Sequence, residues 1–339
     1  MHMDNINMDR MNKDNYGYLE KKNKSNRSYY RYHKVLKVAL SVVRTLFLIG
    51  MAYVLLYPLL NLLTMTFRPP AEVADPSVVW IPKHLTMDNI FTAIKQLKYW
   101  DALKNTLIVA GGSAIFQMIF CSMAGYGFAR FNFREKKILF ALVIFTIIVP
   151  PQTTSLSNFV EFRFFSFFGL TKLIGAITGT KPLVINLLNT PWTFYIPSIL
   201  CMGLRSGLFI YIFRQFFRSM PKDLENAAKI DGCGAFKVFV RVMAPNALPA
   251  YLTVFLFSLV WHWNDYALTS LYYQTKNKPL ALALSSFQTT LQNVGIKDFT
   301  QQYAILNAAA FLFVLPLLLL YIFAQRYFIE SVNMTGIKG

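Results

Sequence analysis

Residues 299–325 read FTQQYAILNAAAFLFVLPLLLLYIFAQ, a run of 27 residues without Asp, Glu, Lys or Arg. A helix needs about 20 predominantly apolar residues to cross the hydrocarbon core of a bilayer. This run is long and apolar enough to do so, and it predicts a transmembrane helix. Further runs of the same kind occur throughout the chain.

Five uncharged runs precede it, at 45–67, 105–129, 138–160, 182–204 and 242–264. The fourth contains Pro182, Pro191 and Pro197, and proline removes a backbone donor and clashes with the preceding helical turn. We therefore place the fourth span at 195–217, which leaves 155–193 as an outer loop with apolar and partly helical content. The sequence predicts an all-α polytopic membrane protein with six transmembrane helices.

The composition excludes several classes of protein. The 339 residues are 55% hydrophobic and 15% charged, whereas soluble proteins are about 25% charged. These values exclude a disordered chain and disfavour a soluble enzyme. The net charge of +18 would suit a nucleic-acid binder, but the long uncharged runs do not. Cys121, Cys201 and Cys233 are widely spaced and lie in or beside apolar stretches, which predicts buried residues rather than a disulfide framework or zinc site.

The distribution of basic residues predicts the orientation. The N-terminal and C-terminal segments and the loops on the same side of the membrane contain 22 Lys and Arg residues. The loops on the opposite side contain 11. Because cytoplasmic segments are enriched in positive charge, both termini are expected in the cytoplasm. We expect a basic tail at 1–38, a transmembrane domain at 39–328 and a C-terminal tail at 329–339. No cleavable signal peptide is expected, since the start is polar and basic and the apolar run after it is too long for one.

The predicted cytoplasmic loop at 218–245 joins spans four and five and has an unusual composition. Pro221 lies at a first-turn position, and the acidic residues after it favour the positive end of a helix dipole. Gly232 and Gly234 then end the helix or let another backbone approach closely. A second short, more apolar segment follows at 236–240. Two short helices around a glycine bend, too apolar for a free loop, predict a docking element.

This loop resembles the signature loop of the permease subunits of binding-protein-dependent ABC importers. The family pattern is Glu-Ala-Ala, three residues, Gly, nine residues, a hydrophobic residue, one residue and Leu-Pro. The matching residues in this chain are Ala227, Ala228, Asp231, Gly232, Val242 and Pro245. Asn226 stands where the family has Glu, and Ala244 stands where it has Leu.

In the family this loop is the coupling helix, which lies in a cleft of the ATPase subunit, and its Glu commonly meets a basic residue there. The resemblance implies that Asn226 loses this ion pair but keeps an amide for hydrogen bonding. Glu225 and Asn226 are counted with the other coupling residues, but Glu225 is no simple substitute for the family's Glu, because neighbouring residues point about 100° apart around a helix. For Asp231, accepting backbone hydrogen bonds at the glycine bend is an alternative to contacting the ATPase.

Further matches, over about residues 40–339, resemble the carbohydrate branch of the family and in particular the second permease subunit of maltose importers. They are Asn105-Thr-Leu107, Ala124–Phe131, Pro150-Pro-Gln152, Phe213–Phe217, Trp263-Asn-Asp265 and the residues from 325 to 339. The resemblance implies a type I ABC importer transmembrane domain with a core at about 102–326. It also implies a C-terminal tail, ending in Lys338 and Gly339, that reaches between two ATPase subunits. The stretch 171–185 is longer than the family norm.

The resemblance further implies a permease subunit for ATP-driven import of sugars or oligosaccharides in a bacterial cell membrane. The implied partners are a second permease in a heterodimer, two copies of an ABC ATPase, an extracellular substrate-binding protein and the lipid bilayer. Nucleic acid is not among them. ATP and Mg²⁺ are expected in the ATPase, and this chain is expected to hold no cofactor and to be no enzyme.

Five polar or aromatic residues in or near the spans are candidates for the substrate path: Arg205, Gln117, Asn158, Trp263 and Asn264. A central Arg costs about 2.5–3.5 kcal/mol on insertion scales, so it should face a polar cavity, unless Arg205 lies near an interface and its side chain reaches out. Gln117 and Asn158 could instead make interhelical hydrogen bonds. Trp263 could belong to an aromatic belt, with its neighbours capping a helix end.

Other functions remain as alternatives. The transported solute could be something other than a sugar, such as an amino acid, a peptide or a phosphorus compound. An ATP-independent secondary transporter would predict intramembrane charge pairs or inverted repeats, and an integral-membrane enzyme would predict a cluster of catalytic side chains near one interface. The sequence contains none of these patterns, and its four His residues have no metal-ligand spacing.

Overall fold

The computed structural model describes residues 4–336 except 76, 79 and 168, with side chains described from 34 to 325. Over this part of the chain the regular structure is helical, apart from one isolated antiparallel bridge between Phe165 and Ile185. The predicted all-α class is therefore confirmed.

Sixteen helical segments follow one another in the described chain. The first eight are α1 (Asp4–Thr66), α2 (Pro70–Val73), α3 (Asp88–Leu97), α4 (Tyr99–Arg130), α5 (Lys136–Ile148), α6 (Pro151–Arg163), α7 (Leu170–Thr178) and α8 (Trp192–Ile199). The others are α9 (Ser206–Ser219), α10 (Asp223–Ile230), α11 (Ala235–Asn246), α12 (Leu248–Asn264), α13 (Ala267–Tyr272), α14 (Leu280–Ser285), α15 (Phe287–Asn293) and α16 (Phe299–Gly336).

Three described helices are long and apolar enough to cross a membrane unbroken: Lys34–Thr66 within α1, α4, and Phe299–Gln325 within α16. Two predicted spans are bent pairs instead, α5 with α6 at 96° and α11 with α12 at 79°. Prolines lie at both bends, where they remove backbone donors and restrict the preceding residue. Five of the six predicted spans thus have a helical counterpart, and the count of six is not confirmed.

The predicted fourth span at 195–217 is not one helix, which corrects the sequence interpretation. Helix α8 ends at Ile199 and α9 begins at Ser206, with an irregular stretch between them. Cys201 and Arg205 in this stretch have positive φ angles of 59° and 61°. A left-handed residue cannot continue an α-helix, so the span is broken at this point. The sequence contained a sign of the break in Pro197 and Gly203.

The chain divides at Leu62 into two compact units, and the bundle that begins at Leu63 contains the candidate site. Its centre is the packing of α4 against α9, where a Cβ atom placed on Gly125 would lie 2.5 Å from the Cβ atom of Phe213. Only glycine permits so close an approach. Phe213, Phe217 and Met243 are fully buried in the same core, which ties α9 and α11 to α4.

Candidate functional site: a two-helix element and a cavity

Residues 221–246 form two helices, α10 and α11, joined by a tight bend. The bend is closed by backbone hydrogen bonds from Gly232 to the Lys229 carbonyl and from Cys233 to the Ala228 carbonyl, each 3.0 Å long. Gly232 has a φ angle of +79°, which side-chain-bearing residues rarely adopt. The local structure therefore needs glycine at this position.

One face of α10 is fixed to the chain's own bundle. Glu225 and Ala228, one turn apart, are buried. The Glu225 carboxylate lies 2.9 Å from the Arg130 guanidinium at the end of α4, and both side chains are less than 10% exposed. Arg130 also donates a 2.7 Å hydrogen bond to the Met220 carbonyl, just before α10. A buried ion pair thus sets the position of α10 against α4.

The opposite face of α10 is open. Asn226, Ala227 and Asp231, from the predicted coupling set, are exposed, as is Pro245 on α11. Two large apolar side chains accompany them, Ile230 at 86% exposure and Phe236 at 67%. We call the exposed side chains of residues 226–236 the docking face. Of the coupling residues predicted from sequence, Glu225 and Ala228 therefore lie on the buried side of α10, whereas Asn226, Ala227 and Asp231 are exposed.

A cavity of about 330 Å³ opens at the break between α8 and α9. It contains two of the predicted substrate-path residues, Asn158 from α6 and Arg205 from the break itself. The Arg205 guanidinium carbon lies 5.8 Å above the ring centre of Trp261, a distance typical of a cation–π contact. Because α5, α6 and α12 also contribute to its wall, movement of these elements would reshape the cavity.

Gln117 lies behind the cavity wall and is fully buried. Its amide nitrogen donates to the Leu204 carbonyl at 2.9 Å and to the Ser206 hydroxyl at 2.8 Å. Its amide oxygen accepts a hydrogen bond from the Ser258 hydroxyl. Gln117 therefore joins α4, the break before α9 and α12, and it does not line the cavity.

Trp263 and Asn264 lie near the end of α12 and do not line the cavity either. Trp263 is buried, and its indole nitrogen donates a 3.2 Å hydrogen bond to the Phe313 carbonyl. Asn264 is exposed and donates to the Val260 carbonyl at 2.8 Å. Asp265 accepts hydrogen bonds from the Leu268 and Thr269 amides, so its carboxylate caps α13.

Apart from Asn158 and Arg205, the sequence interpretation did not predict the residues of the cavity wall, which include Thr193 and His262. His262 donates through Nδ1 to the Ser258 carbonyl at 2.8 Å, which leaves Nε2 as an acceptor. Only the fold brings these residues beside Arg205.

In the part of the chain that the structure describes, no group of three His, Cys, Asp or Glu residues could hold a metal ion. Lys338 and Gly339 lie outside the described residues.

Comparison with known proteins agrees with this architecture. Residues 117–333 match the family described as "Binding-protein-dependent transport system inner membrane component". The arabinooligosaccharides transport system permease protein AraQ of Halalkalibacterium halodurans is 26% identical, over 85% of this chain and 93% of that protein. The melibiose/raffinose/stachyose import permease protein MelC of Bacillus subtilis is 28% identical, over 78% of this chain and 86% of that protein.

A similar fold occurs in the crystal structure of a bacterial ABC transporter involved in the import of the acidic polysaccharide alginate. The TM-score is 0.66 at 18% sequence identity, and the match covers 85% of this chain and 96% of that chain. The likeness therefore extends over nearly all of that chain and supports the helical architecture described above.

Proposed function

Because this chain belongs to the family of binding-protein-dependent transport system inner membrane components, we propose that it is the permease subunit of an ATP-driven importer of sugars or oligosaccharides. The chain is an ABC transporter permease subunit and not an enzyme. The names of several relatives support sugars as the solute: they include permeases for arabinooligosaccharides, for melibiose, raffinose and stachyose, and for diacetylchitobiose.

The complete importer contains this chain, a second permease, two copies of an ABC ATPase and an extracellular substrate-binding protein. ATP and Mg²⁺ are bound by the ATPase. The family's description supports dependence on a binding protein. The complex lies in the bacterial cell membrane with both termini of this chain in the cytoplasm, which the 22-to-11 division of basic residues supports.

The main support for the coupling role is that α10 has one buried face and one exposed face. Its buried side is joined to α4 through the 2.9 Å Arg130–Glu225 ion pair, so a displacement of α10 is transmitted to the bundle. Its exposed side presents Asn226, Ala227 and Ile230 to a partner. We assign this docking face to a cleft of the ATPase, with Lys338 and Gly339 contacting the ATPase separately.

We propose the following mechanism for this arrangement. Closure of the ATPase dimer on ATP moves its clefts, and the two helices between 221 and 246 move with them. Helices α9 and α12, at the two ends of this element, are displaced in turn, and the pore opens outward to receive solute from the binding protein. Hydrolysis of ATP resets the pore.

Purification of the chain from its native membrane in mild detergent tests the assembly. Mass spectrometry of the isolated complex is expected to identify a Walker-motif ATPase and a second permease. If this chain is isolated alone and transports solute in liposomes without ATP, the proposal is wrong and the chain is a secondary transporter.

Gly232→Pro tests the coupling role. Proline fixes φ near −65°, whereas Gly232 needs +79°, so the bend between α10 and α11 is expected to change. We predict that the variant still assembles in part but loses ATP-driven uptake in proteoliposomes. The matched control is Gly179→Pro, which imposes the same conflict at a φ angle of +70° in a different loop and should retain uptake. Normal uptake by Gly232→Pro would defeat the assignment.

A further inference from the structure

The described side chains that line the cavity between α8 and α9 include a positive charge but no negative one. Among the described residues that line it, Arg205 is the one Lys, Arg, Asp or Glu side chain. None of the described carboxylates forms an ion pair with it. The acidic residues of the adjoining elements, Glu161 and Asp265, do not line the cavity. Its wall therefore presents one uncompensated positive charge.

Arg205 is held in place by its backbone and by a ring. Its left-handed φ angle of 61° places it directly before the start of α9, and its guanidinium carbon lies 5.8 Å from the ring centre of Trp261. Arg205 is exposed, and a guanidinium group in a cation–π contact still presents N–H donors to a planar, two-oxygen acceptor. Such donors match a carboxylate or a phosphate.

The rest of the wall suits a sugar ring. Phe194 and Tyr272 provide aromatic surface, and Asn158, Thr193 and His262 provide polar atoms for hydroxyl groups. Cavities of about 300–1,000 Å³ with mostly apolar walls and a few fixed polar groups are typical of small-molecule sites, and this one is about 330 Å³.

We propose that this cavity receives an acidic sugar unit during transport, with the Arg205 guanidinium paired to its acid group. The inference rests on the proposed sugar-import function and narrows it to anionic saccharides. A carboxylate on a uronic acid and a phosphate ester share the required chemistry. Because no described carboxylate pairs with Arg205, Coulomb attraction favours an anionic solute in this cavity over a neutral one of the same size.

The test is isothermal titration calorimetry on the full-length chain, isolated with its associated subunits in nanodiscs. The probes are trigalacturonate, its methyl ester, maltotriose and glucose 6-phosphate. Trigalacturonate is expected to bind at least about tenfold more tightly than its uncharged ester, and Arg205→Gln is expected to remove that preference. Binding of glucose 6-phosphate but not trigalacturonate would also support the inference and would assign the acid group as phosphate.

The matched control is Arg163→Gln. Arg163 also lies near an aromatic ring, with its guanidinium carbon 5.5 Å from the ring centre of Phe164, but it does not line the cavity. This variant should bind trigalacturonate as the unaltered chain does. The inference is overturned if neither acidic probe binds, if the ester or maltotriose binds as tightly as the acids, or if Arg205→Gln binds the acids unchanged.

Failure of the acidic-sugar inference can be distinguished from failure of the proposed importer function. If Arg205→Gln retains ATP-driven uptake of its solute and that solute is neutral, the importer function stands and only the acidic specificity is wrong. If no saccharide is taken up and no ATPase accompanies the chain, the importer function itself is wrong.

Discussion

Gly125 is the residue on which the packing of α4 against α9 depends. A methyl group at this position would lie 2.5 Å from the Phe213 Cβ atom and 3.1 Å from the Ile210 carbonyl oxygen. The backbone carbonyl cannot move aside, so the two helices must separate. We predict that Gly125→Ala lowers stability by about 1–3 kcal/mol, the usual cost of overpacking a core.

The measurement is the thermal unfolding midpoint of the purified chain in detergent. Gly127→Ala is the matched control, because it makes the same change on the same helix and its new methyl group would meet nothing closer than Phe131 at 4.0 Å. An equal midpoint for the two variants would contradict the close-packing argument.

Glu225 makes a contact that the sequence motif does not predict. It is one position before the site at which the family carries its Glu, and it pairs with the chain's own Arg130 at 2.9 Å. We predict that Glu225→Ala destabilises the chain by about 3–5 kcal/mol, because it leaves a buried guanidinium group without its partner. Thermal unfolding and ATP-driven uptake are the measurements.

Asp223→Ala is the control for this change, since Asp223 belongs to the same helix but is exposed. The double variant Arg130→Met, Glu225→Leu should recover much of the lost stability, because replacing both buried charges with apolar side chains is often neutral. If Glu225→Ala unfolds at the same temperature as Asp223→Ala, the ion pair does not anchor α10.

At the scale of elements, the sequence predicted where helices lie better than how they bend. Uncharged runs of 20 or more residues located α4 and the apolar part of α16, because length and polarity alone determine whether a helix can cross a bilayer. The 96° and 79° bends and the break before Arg205 depend on how proline-containing segments pack against neighbouring helices. Such packing involves residues far apart in sequence, so local prolines indicate that a helix is interrupted but not by how much it bends.

The connection from α1 to α3 is held by carboxylates. Glu72 is buried, accepts hydrogen bonds from the Lys83 and His84 amides, and has its carboxylate 2.7 Å from the His84 ring nitrogen. Burial raises the pKa of Glu72, but these hydrogen bonds and the His84 ring outweigh it, and its pKa is lowered. Hydrogen bonds from the Ser77 hydroxyl and amide, together with Lys83, lower the pKa of Asp75 from 3.8 to about 2.

This arrangement predicts a pH dependence. A carboxylate whose pKa is lowered by folding contributes stability above its unfolded pKa and loses it as pH falls through its folded pKa. The Asp75 contribution is therefore complete only well above pH 3.8 and is lost as the pH falls from 3.8 to about 2. Pepsin cleavage within 77–84 is expected to accelerate over this interval. Asp75→Asn should be cleaved faster already at pH 4, whereas Asp101→Asn, on α4, should match the unaltered chain. Identical cleavage of both variants would refute the role of Asp75.

At the scale of the whole molecule, the division of basic residues predicts which loops lie on which side of the membrane. In a cysteine-free background, Lys181→Cys should react with a membrane-impermeant maleimide on intact cells, because the loop after α7 is expected outside. Lys222→Cys, beside α10, should react only after the membrane is permeabilised. The reverse pattern would invert the orientation and remove the docking face from the ATPase. Both side chains are exposed, so access alone does not distinguish them.

Only part of the candidate site could be predicted from the sequence. The docking element could be predicted because its residues are consecutive, and a bend with Gly232 leaves a local signature. Arg205 was recognisable as a charge within an apolar region. The cavity around it was not, because Asn158, Thr193 and His262 come from three separate elements and meet only in the folded bundle. The Arg130–Glu225 pair was missed for the same reason.

The bridge between Phe165 and Ile185 has a practical consequence. Its two backbone hydrogen bonds, 3.0 and 2.9 Å long, fix the ends of the intervening loop regardless of what lies between them. Lengthening a loop whose ends are already held costs little, because closure entropy grows only with the logarithm of its length. Gly179 lies in this loop with open space around it. An epitope or a fluorescent reporter inserted beside Gly179 is therefore expected to leave the helical bundle undisturbed.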